Sequence, residues 1–427
     1  MLKKKFTLIT AGMLLMTAVS SLPVSAKNSY TAVQGGTVGF EKYLIYSEDA
    51  NCPNVEFSFT IEAGDELPAA SGKEAIIPGD DASVTGTPTM YSASDNTAAN
   101  KAVFTSEKPS YDEPQTISAT IGKHANLTVD PVTLGTGKVY SKDEVTVDFT
   151  GVTFAEPGVF RWKITETAAS APFVSDSNNI RYLDVYVDHK TFTAGATEGS
   201  GTGELEVIGY VLHSQANFQP SDSSTVVEPE NGVKAVGFTN EYLSNNVKIS
   251  NTVAGNQGSI SKYFKYVVEI ENGGENSKID VTGAYDATVV RDTTDTATDS
   301  TFNGKENEDQ IETDDNGDGS YEYYLQHGQY IVLNGLPQGA TVTVTETKDD
   351  YVATYQIKEG SALGEIITGV EASVEEIDED SEINFTNTKN GTIPTGIVTT
   401  VMPGVAMIIC SAVFLAYVIG KRKENAQ

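Results

Sequence analysis

Three polar side chains fall on predicted strand faces that are otherwise apolar. In the segment VGFEKYLIY, Lys42 shares a face with Phe40 and Leu44, because strand side chains alternate with a period of two. The same parity places Glu166 among the apolar residues of FRWKITE, and Asn240 among those of VGFTNEY. A lone lysine in this position could reflect a register error or a side chain that snorkels at a strand end. Three polar groups of complementary chemistry are better explained as one buried set.

Such a set has the chemistry to form a covalent bond without a cofactor. Burial disfavours charged groups, so Lys42 loses its proton more easily and becomes a nucleophile, while Glu166 stays protonated. Glu166 can then polarise the carboxamide of Asn240 and relay protons as ammonia leaves. The predicted product is an isopeptide bond between Lys42 and Asn240, which would join the first strand of a domain to its last. In the chain-entropy model a cross-link that closes so long a loop contributes roughly 5 kcal/mol of stability.

The elements that carry these residues are predicted strands. Alternating segments rich in Val, Ile, Thr, Phe and Tyr are separated by Gly, Asn, Asp and Ser clusters, which indicates an all-β fold of sandwiches or barrels. FRWKITE is echoed by VTVTE, and VGFTNEY by INFTNTK, so we expect two tandem β domains, residues 27–242 and 243–390. The polar runs 80–102, 191–203 and 291–318 are expected to form surface loops.

The second repeat departs from the first at the lysine position. Glu346 and Asn387 correspond to the acid and the amide, but the strand face that should carry the lysine has Asn251, while Lys248 points the other way. A second isopeptide bond therefore has no evident nucleophile. We expect Asn251 to hydrogen-bond with Glu346 and Asn387 in its place.

The two ends of the chain are typical of an exported protein. Residues 1–26 have a basic start, an apolar middle and a small-residue ending at Ala26, which is the pattern of a secretory signal peptide. Residues 396–420 are apolar over a length that can cross a bilayer core of about 30 Å, and the basic residues that follow would hold the tail in the cytoplasm. A buried core helix is the alternative, which the length and terminal position of the segment disfavour.

The composition excludes several classes of function. The formal net charge of -31 lacks the basic surface that nucleic-acid binding needs. Cys410 lies in the predicted membrane segment, so Cys52 has no partner for an internal disulfide and is either an inert or a reactive thiol. We find no nucleophile motif or phosphate loop, so neither a cofactor nor an enzymatic activity beyond self-catalysed bond formation is predicted.

A metal site is not predicted either. The segment DDNGDGS, residues 314–320, resembles the start of a calcium loop, but Leu325 stands where the bidentate acid is expected. This departure favours a tight turn before a strand. The four histidines are scattered and have no metal-ligand spacing.

The segments GTVGFEKYLIY, VTFAEPGVFRWKITE and VGFTNEY, in this order, resemble the isopeptide-linkage domain of Gram-positive major pilins of the streptococcal T-antigen type. The resemblance covers most of the exported region. It implies a pair of immunoglobulin-like sandwiches, in which Lys42 matches the cross-linking lysine, Glu166 the catalytic acid and Asn240 the partner amide.

The C-terminal region, residues 391–427, resembles a sortase sorting signal of the pilin variety. Its motif TIPTG precedes the membrane segment and the basic tail, so a transpeptidase would cut between the fourth and fifth residues of the motif and membrane insertion would be transient. A chance turn is the alternative. The five residues of the motif are Thr392, Ile393, Pro394, Thr395 and Gly396.

These features predict a major pilin, polymerised head to tail in a wall-anchored pilus on the surface of a Gram-positive cell. Its expected partners are neighbouring subunits, a pilin-class sortase, cell-wall peptidoglycan (directly or through a base pilin) and a host surface. The alternative is a monomeric wall-anchored adhesin or a minor pilin with a host-ligand site. By resemblance to family shafts, the acceptor lysine is Lys234 in EPENGVKAVGFTNEY. It could also be an ordinary solvated lysine, with Lys190 and Lys142 as competing acceptors.

Overall fold

The chain is described here by a computed structural model. The described residues are 28–113, 117–119, 127–129, 132–195, 201–220, 234–272, 279–291, 301–302, 305–306, 309–313 and 319–392. They form 32 strands and no helix, so the predicted all-β class is confirmed. Within these residues no helix is long and apolar enough to span a membrane. The predicted signal peptide and membrane segment lie outside the described residues.

Strands β1 to β17 lie between residues 28 and 242. Their bounds are β1 (Ser29–Thr31), β2 (Val33–Gln34), β3 (Thr37–Ser47), β4 (Val55–Ala63), β5 (Ile76–Pro78), β6 (Val84–Thr85), β7 (Thr89–Ser92), β8 (Lys101–Phe104), β9 (Ile117–Ala119), β10 (Leu127–Val129), β11 (Lys138–Asp148), β12 (Thr153–Phe154), β13 (Gly158–Glu166), β14 (Phe173–Val174), β15 (Ile180–Ala194), β16 (Gly201–His213) and β17 (Gly237–Tyr242).

Strands β18 to β32 follow in the rest of the chain. Their bounds are β18 (Ser244–Ala254), β19 (Phe264–Glu271), β20 (Gly283–Asp286), β21 (Val289–Arg291), β22 (Thr301–Phe302), β23 (Lys305–Glu306), β24 (Gln310–Thr313), β25 (Gly319–Leu325), β26 (Gln329–Pro337), β27 (Thr341–Glu346), β28 (Val352–Glu359), β29 (Ala362–Leu363), β30 (Ile367–Thr368), β31 (Glu371–Val374) and β32 (Ser381–Thr388).

The first hydrophobic core is built from two main sheets. One has the order β1-β16-β15-β13-β4-β8, with β5 also paired to β13, and the other has the order β14-β17-β3-β11-β7. Both sheets contribute buried apolar side chains, among them Phe40 from β3 and Phe160 from β13. Because β17 runs parallel to β3, the last strand of this part lies directly beside its first long strand.

The second core repeats this layout. One sheet has the order β21-β26-β18-β32-β28-β29, with β30 also paired to β28, and the other has the order β25-β19-β27-β31. Burial in β27 and β32 alternates residue by residue, as expected for strands with one face on a core. Strand β32 runs parallel to β18, so the last strand again lies beside the first.

The junction between the two cores is a single residue, Leu243, between β17 and β18. Its backbone N–H donates to the carbonyl of Pro172 at 3.0 Å, and its own carbonyl accepts from the N–H of Gln338 at 3.0 Å. The buried hydroxyl of Tyr242 donates to the carbonyl of Gly335 at 3.0 Å. Contacts to both cores therefore fix the connecting backbone. The limits 27–242 and 243–390 remain predictions.

The prediction of a surface loop at residues 191–203 is wrong, because most of these residues belong to paired strands. Strands β15 and β16 continue as one hairpin, with Thr191 paired to Glu204 and Ala194 paired to Gly201. The outer end of β15 is exposed on both faces, so it carries no apolar alternation that sequence inspection could detect. The predicted loop 80–102 likewise contains β6, β7 and the start of β8.

Candidate isopeptide-forming site

Lys42 lies within β3, between β17 and β11, and its side chain has no exposed surface. Its neighbour across the parallel pairing is Phe238, and its amine nitrogen Nζ lies 4.6 Å from the centre of the Phe57 ring. The alternation of β3 turns this side chain toward the core, as the parity of the sequence predicts. The amine is thus fully buried, with an aromatic ring beside it.

Glu166 is the last residue of β13 and reaches the amine from the facing sheet. Its Oε1 atom lies 2.6 Å from Lys42 Nζ, at ion-pair distance but outside hydrogen-bond geometry. The same Oε1 accepts a hydrogen bond of 2.8 Å from Nδ2 of Asn240. Among the described residues, nothing hydrogen-bonds to the buried Oε2 atom. One carboxyl oxygen therefore touches both groups that the predicted bond would join.

Burial shifts the two ionisable groups toward their neutral forms. It lowers the pKa of Lys42 to about 8, although the charge of Glu166 opposes this shift. It raises the pKa of Glu166, although Lys42 opposes that shift in turn. Desolvation penalises an ammonium and a carboxylate alike. Compared with the same pair in water, Lys42 is therefore more readily a neutral amine and Glu166 more readily a carboxylic acid.

The register between β3 and β17 sets the position of the amide. Strand β17 pairs Phe238 with Lys42 and Asn240 with Leu44, so the asparagine is two residues further along the same face. Its side chain is buried, with Nδ2 bound to Glu166 and Oδ1 accepting a hydrogen bond of 2.9 Å from the backbone N–H of Asp176. The carboxamide is held at both ends.

Three buried phenylalanines form an aromatic cluster near the site. The ring centres of Phe40, Phe59 and Phe238 lie 5.2 to 5.5 Å from one another. Phe59 is also the cross-strand neighbour of Glu166 in the β4–β13 pairing. Low local polarity strengthens the hydrogen bonds and charge interactions at this site.

The second core brings its three predicted polar residues to corresponding positions. Strand β32 pairs Phe385 with Asn251 and Asn387 with Val253, which repeats the two-residue offset of the first site. Glu346 ends β27 as Glu166 ends β13. Nδ2 of Asn387 donates to Oδ1 of Asn251 at 3.2 Å, as expected. The expected bond between Asn251 and Glu346 is wrong, because Nδ2 of Asn251 donates to the carbonyl of Leu325 at 3.1 Å. Burial raises the pKa of Glu346 to about 7.

The polymerisation residues are only partly described. Thr392 is exposed at the end of the described residues, and Ile393, Pro394, Thr395 and Gly396 lie outside them. Lys234 is half-buried and forms a bridge pair with His213 at the end of β16.

The two competing lysines have acidic neighbours. Nζ of Lys190 lies 3.7 Å from Oε2 of Glu204, and Nζ of Lys142 donates to Oε1 of Glu41 at 3.0 Å. The assignment of Lys234 as the acceptor lysine therefore stays a prediction.

The remaining candidates are the Cys52 thiol and the calcium-like segment. Burial raises the pKa of the Cys52 thiol to about 11, which disfavours the thiolate needed for reaction. Among the described residues, no group of three or more His, Cys, Asp or Glu side chains could hold a metal ion. The calcium-like segment, residues 314–318, lies outside the described residues.

Sequence inspection missed Asp176, which touches the site through its backbone. It lies in the turn between β14 and β15, where no periodic pattern marks a residue as inward-facing. Asp176 is the first residue of the motif DSNN, which shows only that a turn is expected there.

The chain is similar in sequence to one family model and to a known pilin. A family model described as a domain of unknown function, DUF7601, matches residues 245–389. A protein named Pilin from Streptococcus pyogenes serotype M1 is 24% identical over 283 residues, covering 65% of this chain and 71% of the relative. The curated relative confirms the resemblance to Gram-positive pilins that the motifs predict.

Two solved structures were also matched. The crystal structure of the major pilin from Streptococcus pyogenes is 17% identical, covers 84% of this chain and 100% of its own, and has a TM-score of 0.45. A pilus-presented adhesin is 21% identical, covers 43% of this chain and 36% of its own, and has a TM-score of 0.26.

Proposed function

We propose that this chain is a structural pilin subunit, stabilised by a self-formed bond between Lys42 and Asn240 and polymerised by a sortase into surface pili. The observation that carries the proposal is the convergence of Lys42, Glu166 and Asn240 in a closed apolar core, with Oε1 of Glu166 touching both partners. In this proposal each of the two cores is an immunoglobulin-like sandwich.

In this proposal the three side chains supply the nucleophile, the proton relay and the amide that is attacked. Neutral Nζ of Lys42 attacks Cγ of Asn240, and negative charge develops on Oδ1 of the amide. Glu166 accepts a proton from the amine and delivers one to Nδ2, after which the Cγ–Nδ2 bond breaks and ammonia leaves. One amine and one carboxamide become one isopeptide bond and one ammonia, and Glu166 is regenerated.

The path of the chain supports head-to-tail assembly. Lys234 precedes β17, and only Leu243 separates β17 from β18. If collinear, these strands would span roughly 60 Å at the usual rise of a strand. Strand β32 runs parallel to β18 and pairs Thr388 with Ala254. In this proposal the acceptor Lys234 comes before the first strand of the path and Thr392 comes after its last strand, which is the order that a linear polymer requires.

Sorting would take place outside the cell. After removal of residues 1–26, the apolar segment 396–420 would hold the precursor in the membrane until a pilin-class sortase cuts after Thr395. The acyl group would pass to Lys234 of a neighbouring subunit, or to cell-wall peptidoglycan directly or through a base pilin. A host surface is a further partner in this proposal.

Intact-mass measurement tests the bond. The exported chain should be lighter than its sequence by one ammonia, about 17 Da for an amide formed by a lysine nucleophile. Glu166→Ala should restore the full mass. An unshifted wild-type mass would refute the cross-link.

Immunoblots of wall extracts test the polymer. Co-expression with the sortase should give a covalent ladder, which Lys234→Ala abolishes while the mass loss persists. Lys190→Ala and Lys142→Ala are the matched controls and should leave the ladder intact. A single band from the wild-type chain would favour a monomeric adhesin. A normal ladder from Lys234→Ala would move the acceptor to another lysine.

A further inference from the structure

The carbonyl of Asn240 is bound by a group outside the cross-linking set. Its Oδ1 atom accepts a hydrogen bond of 2.9 Å from the backbone N–H of Asp176. Asp176 lies in the turn that follows β14, and β14 pairs with β17 through Phe173 and Tyr242. The turn is therefore attached to the strand that carries the amide.

The carboxylate of Asp176 holds this turn in place. Its Oδ2 atom accepts from the backbone N–H of Thr239 at 3.0 Å and from Nη2 of Arg181 at 2.8 Å. Its Oδ1 atom accepts from the backbone N–H of Asn178 at 2.9 Å. Thr239 immediately precedes Asn240. The Asp176 carboxylate therefore holds its own backbone N–H, the donor, close to the Asn240 side chain that accepts from it.

The ion pair with Arg181 also offsets the negative charge of Asp176. The two side chains are about one-tenth exposed, at 10% for Arg181 and 11% for Asp176. The guanidinium carbon of Arg181 lies 4.7 Å from the centre of the Phe238 ring. A carboxylate this close to the amide would otherwise oppose the charge that develops on Oδ1 during attack.

We propose that the backbone N–H of Asp176 is the oxyanion donor for isopeptide formation, and that the Asp176 carboxylate is the positioning group that aims it. This inference rests on the proposed function. When Lys42 Nζ bonds to Asn240 Cγ, the carbonyl electron pair moves onto Oδ1, where the N–H stabilises it. The pair returns as the Cγ–Nδ2 bond breaks, and the leaving nitrogen takes up the proton held by Glu166 and departs as ammonia. A fixed donor needs no reorganisation at that moment.

The rate of ammonia loss tests the assignment. The full chain is synthesised in a cell-free system, samples are quenched in acid denaturant at set times, and intact mass gives the cross-linked fraction. In enzymes, loss of one oxyanion donor slows the reaction by roughly 100- to 1,000-fold. Because Asp176→Ala loosens the donor without deleting it, we expect bond formation to slow by at least about tenfold. Asp176→Asn keeps an oxygen that can accept from Thr239 and should recover part of the rate.

Controls separate this role from a structural one. Asn178→Ala removes a side chain from the same turn but keeps the contacts of the Asp176 carboxylate, so its rate should match wild type. A second control compares the Glu166→Ala variant with the Glu166→Ala, Asp176→Ala double variant, neither of which can cross-link. Near-ultraviolet circular dichroism then shows whether Asp176→Ala changes the fold. The two spectra should agree.

Two results would overturn the assignment of Asp176 and leave the proposed function in place. The first is a wild-type rate of bond formation in Asp176→Ala. The second is a slow rate together with a spectrum that differs between Glu166→Ala and the Glu166→Ala, Asp176→Ala double variant. A wild-type chain that never loses ammonia would instead overturn the proposed function on which the assignment rests.

Discussion

Asn387 donates a hydrogen bond of 3.2 Å to Asn251, and both side chains are fully buried between parallel neighbouring strands. The strand positions match those of Asn240 and Lys42 in the first core, including the two-residue offset. A buried glutamic acid completes each set. The second core therefore has the acid and the amide of an isopeptide site but has a carboxamide where the first has an amine.

An amine introduced at position 251 should create a second bond. Asn251→Lys places a lysine beside Asn387 with the register of the first site, and burial already raises the pKa of Glu346 to about 7. We expect this variant to lose two ammonias, about 34 Da, through two lysine nucleophiles. Asn251→Lys combined with Glu346→Ala should lose only one. A folded Asn251→Lys chain that loses one ammonia would show that register and burial are insufficient.

The buried acid of the second core should make that core less stable as the pH rises. The ordinary pKa of glutamic acid is 4.5, and burial raises that of Glu346 to about 7. Between these values the folded chain holds a proton that the unfolded chain has released, so the free energy of unfolding falls with increasing pH across this window. Calorimetry from pH 4 to 8 should show the second core of Glu346→Gln gaining melting temperature relative to wild type as the pH increases.

A matched variant isolates this effect. Glu371 is exposed on the strand beside β27, so Glu371→Gln should keep a constant difference from wild type across the same pH range. A Glu346→Gln difference that also stays constant would mean that Glu346 does not titrate in this window.

Strand parity was enough to predict which side chains enter the site. Lys42, Glu166 and Asn240 each alternate with apolar neighbours, and alternation depends only on the strand itself. It could not predict Asp176, because a turn has no periodicity and its contact uses the backbone. Neither the position of this turn nor the pairing of β14 with β17 can be predicted from local sequence, because both depend on contacts between distant parts of the chain.

The alternation of side chains along a strand predicts the wrong environment for Arg161. On β13 it faces away from Trp162 and should be solvated, yet it is fully buried and its guanidinium donates to both oxygens of Asp184 at 2.7 and 2.8 Å. The guanidinium also donates to the carbonyls of Ala216 and Phe218, in a segment that covers this face. The short polar stretch after β16 has no sequence signal for such a cover, so local pattern could not predict it.

Peptide mapping of surface material should find Thr395 as the new C-terminus, joined to an amine. Peptides from 396–427 should be absent, because sortase cleavage in the proposed function releases that segment with the predicted membrane span. Pro394→Ala should leave the tail attached by breaking the motif. Lys389→Ala lies outside the motif and should be processed normally. Recovery of GIVTTVMPGVAM in quantity from wild-type pili would contradict this cleavage.

Under tension the two cores should respond differently, because only the first has a covalent cross-link in the proposed function. A pull on the two ends of the exported chain passes through the Lys42–Asn240 bond and shields residues 43–239. In the second core the load enters at the start of β18 and leaves at the end of β32, at opposite ends of two parallel paired strands. The hydrogen bonds of this pair share the load in shear, but they can all break.

Single-molecule pulling of the exported chain should therefore show one unfolding event, from residues 244–388, with an extended length of roughly 500 Å. Glu166→Ala should add a second event of roughly 700 Å from residues 43–239, since no bond shields them. Asn251→Lys should nearly remove the first event by locking the second core. A wild-type chain that releases the longer segment would contradict the cross-link, and one that releases neither would mean that the β18–β32 pair withstands the applied force without a covalent bond.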